Sequence, residues 1–246
     1  MGRYSVPLAT VFADFATVDA GQRVLDVGCG PGALTAELVR RLGSESVAAV
    51  DPSEMFARAV GERLPGIDVH RAAAELLPFE DRVFDGALAQ LVVHFMADPV
   101  VGLREMVRVT RGHGFVAACV WDHEGGTGPL GRFWDAAHRL DPDVQDESAL
   151  AGAREGHLEE LFDDAGLQEI EERALSVSVE HPSFDEWWEP FTLGVGPAGR
   201  YVSDLDVDRR AQLREQCRQL QPAEPFVVTA RAWATRGVVS SGSGNV

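Results

Sequence analysis

One stretch limits what this chain can become: Val24-Leu25-Asp26-Val27-Gly28-Cys29-Gly30-Pro31-Gly32-Ala33-Leu34-Thr35. It reads as a short apolar strand, a glycine loop and the start of a helix over 33–42. Gly28 and Gly30 carry no Cβ, so the backbone can turn tightly and a ligand can lie against it. The free amides at the mouth of the following helix add partial positive charge. Together these features describe a loop that holds a small polar cofactor.

The spacing narrows the ligand. A turn built for a dinucleotide reads G-x-G-x-x-G, with the helix N-terminus aimed at a pyrophosphate. Here the glycines fall as G-x-G-x-G, and Asp26 stands two residues before the first. A carboxylate there repels phosphate and suits an ammonium group. A second apolar run, Val47-Ala48-Ala49-Val50, ends in Asp51, about where an α/β nucleotide fold places its ribose-binding acid. A ribose, a cationic amino acid end and no phosphate describe S-adenosylmethionine.

Four segments in order, VLDVGCGPGALT, VAAVDPSEMF, AAAELLPFEDRVFDGALAQLVVHF and LREMVRVTRGHGFVAACVWD, resemble the successive motifs of class I S-adenosylmethionine-dependent methyltransferases. The resemblance covers roughly residues 20–122 and is greatest to the small-molecule branch that holds the ubiquinone/menaquinone C-methyltransferases and uncharacterised bacterial relatives. It implies an α/β fold: a three-layer αβα, Rossmann-like, seven-stranded sheet with an inserted helical lid. It also implies a cofactor set of Arg3, Asp26, Gly28, Cys29, Gly30, Asp51, Pro52, Met55, Ala73, Ala74, Glu75 and Gln90. Within that set, Arg3 would pair with the methionyl carboxylate, and Pro52 and Met55 would lie against adenine. One departure stands out: Ala73 occupies the place where relatives commonly carry an Asp for the adenine amino group. Adenine recognition then falls to backbone around Ala73 and Ala74, and Glu75 is open to a loop or capping role instead.

Ahead of the first strand, Leu8, Val11, Phe12 and Phe15 recur at helical spacing. That helix either covers the sheet edge or closes over the cofactor. Further strands are expected over 68–71, 83–90, 115–121, 169–179 and 225–236, with helices over 100–110, 130–140, 157–165 and 206–220. Gly112-His113-Gly114 reads as a turn. A single domain over 1–236 is expected, with lid insertions at about 124–155 and 183–204 and a disordered Ser/Gly tail over 237–246. The aromatics of the insertions, Phe133, Trp134, Trp187, Trp188 and Phe191, form either an acceptor pocket or the lid's own core. His94 and His123, after the fourth and fifth strands, are the titratable candidates for a catalytic base, if the acceptor needs one.

Composition excludes several classes. With 39 acids against 22 basic residues, all of them Arg, the formal charge is −17. Binding a nucleic acid rests on cationic contacts to phosphate, so such a substrate is not expected. No apolar run approaches a membrane span or a secretion leader, and three scattered cysteines make neither a disulfide framework nor a zinc pattern. Taken with the resemblance, this leads to the expectation of a cytoplasmic enzyme without metal, monomer or homodimer, methylating a small aromatic or apolar molecule. The alternatives are a cofactor-binding protein without transferase activity and a protein or RNA methyltransferase.

Overall fold

The computed structural model describes residues 2–241. Seven strands form one sheet: β1 (Val24–Val27), β2 (Val47–Asp51), β3 (Asp68–Arg71), β4 (Phe84–Gln90), β5 (Thr110–Trp121), β6 (Gln168–His181) and β7 (Phe226–Val238). The helices are α1 (Gly2–Phe15), α2 (Ala33–Leu42), α3 (Glu54–Arg63), α4 (Pro99–Val109), α5 (Gly131–Leu140), α6 (His157–Asp164), α7 (Phe184–Trp188), α8 (Gly196–Asp204) and α9 (Val207–Leu220). The sheet order is β3-β2-β1-β4-β5-β7-β6. Strands β3 to β5 run parallel, and β7 enters antiparallel between β5 and β6.

The chain order reverses between β1 and β4, which makes the carboxyl ends of these strands the crevice of the sheet. β1 explains why. Paired on both sides and covered on both faces, all four of its residues are buried, so it reads as a continuous apolar run interrupted only by Asp26. Local chemistry sets the helix starts. The Ser53 hydroxyl accepts from Phe56 N at the head of α3, and Asp98 accepts from Val101 N at the head of α4, with Pro99 at its first position. Asp206 does the same for α9 through Arg209 N.

Two expectations change. Gly112–Gly114 is not a separate turn: β5 begins at Thr110 and passes through a register shift, with Thr110 opposite Phe84 and Phe115 opposite Gly86. His113 takes a positive φ of 64° inside this bulge, and a Cβ on Gly114 would stand 2.6 Å from Asp85 O. At the other end, β7 continues through Gly237 and Val238, and Val239 still exchanges backbone bonds with His113 and Gly114. The core therefore reaches into the expected tail; residues 242–246 lie outside the described residues. No helix among the described residues is long and apolar enough to cross a membrane.

Candidate cofactor and acceptor site

The glycine loop folds back over β2. Gly28 N and Cys29 N both donate to Val50 O, at 2.8 and 2.9 Å. Gly28, Gly30 and Gly32 all have positive φ, but for different ends. A Cβ on Gly28 would stand 2.5 Å from the Val92 side chain, and one on Gly32 2.5 Å from Arg63, so these two glycines allow close packing. A Cβ on Gly30 would meet nothing within 4 Å. The loop is thus locked on one side and open at Gly30. The Arg63 guanidinium tightens the lock by donating to Pro31 O and Gly32 O.

Asp51 is tied to that open point. Its Oδ2 accepts from Gly30 N and its Oδ1 from Ser53 N, both at 2.8 Å. Each carboxylate oxygen keeps a lone pair for a further donor, such as a ribose hydroxyl. At the end of β4, Gln90 donates through Nε2 to Ser5 O of α1, while its Oε1 is buried without a partner among the described residues. An orphaned acceptor beside the loop fits an ammonium donor. Exposed apolar side chains follow three strands: Met55 (63% exposed) after β2, Leu76 (78%) after β3 and Phe95 (71%) after β4. Pro52 and Ala73 are exposed beside them, and Ala74 is buried. Large apolar groups left in solvent at the mouth of a crevice suit a flat ring. On these observations the residues present fit S-adenosylmethionine.

Three residues expected at the cofactor have partners within the protein. Asp26 is only 1% exposed, and its Oδ2 accepts from Thr35 Oγ1 at 2.6 Å. It ties β1 to α2 beneath the loop. Desolvation, reinforced by the Asp51 charge and opposed by the Thr35 hydrogen bond, pushes its carboxyl up to about 7. Arg3 is ion-paired with Glu186 of α7, so α1 is tethered to the lid through the group expected to meet the cofactor's carboxylate. Glu75 turns its Oε1 to Ala97 N and Asp98 N, which makes it a loop tie. Cys29 is buried, which raises its thiol pKa and keeps it protonated. The partners of Asp26, Arg3 and Glu75 lie 9, 183 and 22–23 residues away, so sequence position alone does not reveal them.

On the acceptor side, the His94 and His123 rings lie 6.1 Å apart. Burial lowers His94 to about 3, and His123 to about 4, so both imidazoles are neutral at pH 7. His94 Nδ1 is buried without a partner among the described residues. Behind His123 stands Glu147, a residue that sequence reasoning missed: its Oε2 accepts from Trp134 Nε1 at 2.7 Å and lies 3.9 Å from His123 Nδ1. Burial raises the Glu147 pKa. Glu147 lies in the first insertion among several acids, and nothing in its spacing distinguishes it from its neighbours.

The insertion aromatics pack on one another. Phe133 stacks on Phe191 at 4.6 Å, Phe184 lies parallel to Trp188, and Trp121 and Phe12 are buried in the same cluster. Full burial of each such ring is worth about 1.5–3 kcal/mol, so these side chains hold the lid to the sheet. α1 joins that assembly through the Tyr4 hydroxyl, 2.8 Å from His181 Nε2.

The seven-stranded sheet has the Rossmann-like fold of solved S-adenosylmethionine-dependent methyltransferases. Residues 25–118 match the family model for a methyltransferase domain. The chain is 37% identical over 99 residues to phthiotriol/phenolphthiotriol dimycocerosates methyltransferase 1 of Mycobacterium ulcerans, covering 39% of this chain and 36% of that one. It is 35% identical over 102 residues to demethylmenaquinone methyltransferase of Mycolicibacterium paratuberculosis, covering 42% and 43%. The chain thus spans less than half the length of these curated relatives. Among solved structures, the YcgJ protein of Bacillus subtilis superposes over 95% of this chain and 98% of its own, with a TM-score of 0.62 at 17% identity, a likeness of fold.

Proposed function

We propose that the protein transfers a methyl group from S-adenosylmethionine to a small-molecule acceptor with an aromatic or apolar body. The observation that carries this reading is Asp51 joined to Gly30 N at the open point of the loop, beside the orphaned Gln90 Oε1. Asp51 holds the ribose hydroxyls, Gln90 Oε1 takes the ammonium, and Met55, with Pro52 and the backbone at Ala73 and Ala74, flanks adenine. When bound, the cofactor supplies an electrophilic methyl on a sulfonium. The chain's own part is to align the acceptor and exclude water, a contribution of several kcal/mol in an in-line displacement. The names of the relatives, a menaquinone precursor and phthiotriol compounds among them, support a small and largely apolar acceptor. The charge of −17 speaks against a polyanionic one.

The test is calorimetry with S-adenosylmethionine and S-adenosylhomocysteine, followed by mass spectrometry of candidate acceptors after incubation with the protein. Binding of both ligands with mass gains of one methyl supports the reading. Binding without any transfer across a broad acceptor panel favours a cofactor-binding protein that is not a transferase.

A further inference from the structure

Beyond the carboxyl end of β5 lies a cavity of about 200 Å³, lined by Asp122, His123, Glu124, Trp134, Asp135 and Asp146 together with loop glycines and His138. Among the described residues, no arginine lines it. Two of its acids have local duties: Asp122 accepts from Gly125 N and Thr127 Oγ1, and Asp146 from Ser148 N and Oγ. The other two, Glu124 and Asp135, are exposed and have no side-chain partner among the described residues. His123 supplies an independent observation. Its side chain is only 4% exposed, it lines the cavity, and it makes no side-chain hydrogen bond among the described residues. With Glu147 Oε2 3.9 Å from its Nδ1, the neutral imidazole keeps a nitrogen lone pair for a bound donor. Because its pKa is depressed to about 4, His123 brings no positive charge to offset the carboxylates at neutral pH. Trp134 adds an aromatic wall, and an indole is the preferred ring for a cation.

We infer that this cavity recognises a basic nitrogen on the acceptor: the ammonium sits between Glu124 and Asp135 against Trp134 and donates to His123. The inference rests on the methyltransferase reading only for calling the ligand an acceptor. His94, which follows β4, has its ring 6.1 Å from that of His123. The nitrogen therefore anchors the molecule while its remaining body extends toward the crevice.

The experiment titrates the full chain with benzylamine, benzyl alcohol and benzoate, each with and without saturating S-adenosylhomocysteine, by calorimetry or ligand-observed NMR. Benzylamine should bind about tenfold more tightly than benzyl alcohol, the scale of one favourable cation contact. Benzoate should bind most weakly, and the amine preference should shrink at high salt. In Glu124→Gln/Asp135→Asn, both exposed and free of other bonds, the preference should collapse while affinity for S-adenosylhomocysteine stays unchanged. Equal binding of the three probes, tighter binding of benzoate, or an amine preference that survives the double substitution would overturn the inference. Failure of S-adenosylhomocysteine to bind would instead overturn the methyltransferase reading, with the cavity's selectivity still read from titrations lacking it.

Discussion

The Thr35 hydroxyl donates to Asp26 Oδ2 at 2.6 Å, with both residues buried where β1 passes into α2. Burial raises this carboxyl, and the Thr35 bond opposes the shift without cancelling it. Asp26 titrates near 7 in the fold, against about 3.9 in an unfolded chain. Its protonated form therefore adds stability that is fully present below about pH 3.9 and lost as pH rises through 7. Urea unfolding across pH 4–8 should show Asp26→Asn gaining on the wild type as pH rises, by up to about 1.4 kcal/mol per unit, and levelling above 7. A constant difference across that range would refute the assignment.

Asp51→Ala removes the acceptor for Gly30 N and Ser53 N as well as the proposed ribose partner. Affinity for S-adenosylhomocysteine should fall by roughly 1.5–3 kcal/mol, the scale of a charged hydrogen bond. Calorimetry measures it directly, and unchanged affinity would remove Asp51 from the site.

His94 and His123 are held neutral, with pKa values near 3 and 4. A histidine lowered in this way adds stability above its unfolded value of about 6.5, and that contribution is lost as pH falls from there toward its folded value. His94→Gln and His123→Gln should both resist acid better, relative to their own pH 7 stability, in denaturant titrations between pH 6.5 and 4. Methyl transfer by the wild type should show no inflection near 6.5 that either substitution abolishes. An inflection that vanishes in one variant would make that histidine a base titrating near neutrality.

Gly28→Ala combines a φ of +71° with a Cβ 2.5 Å from Val92. It should destabilise the fold by about 1–3 kcal/mol, as overpacking does, and displace the loop that carries Gly30. Thermal unfolding and S-adenosylhomocysteine binding should both report the loss.

Ala73→Asp restores an acid at an exposed position on the loop after β3. The fold should be unaffected, since the side chain points to solvent, and cofactor affinity should hold or improve. Abolished binding in a folded variant would mean that this loop does not face adenine.

The sequence by itself determined the sheet and the loop. Apolar runs, one interrupted by Asp26 and others ending in Asp51 and Gln90, with glycines at fixed spacing between strand and helix, are local patterns of period and backbone freedom, and they can be read one element at a time. Tertiary structure alone decided what the polar and aromatic side chains face. Arg3 meets Glu186 from 183 residues away, Tyr4 meets His181, Trp134 turns its indole N–H to Glu147, and the lid aromatics close on one another. The distinction has a physical cause. Secondary structure is set by neighbours within a few residues, whereas an ion pair, a buried hydrogen bond or a ring stack forms only once folding brings distant segments together in one desolvated place. The bulge at His113 and the cavity beside His123 belong to that second kind, because both arise from the way β5 meets its neighbours and the lid.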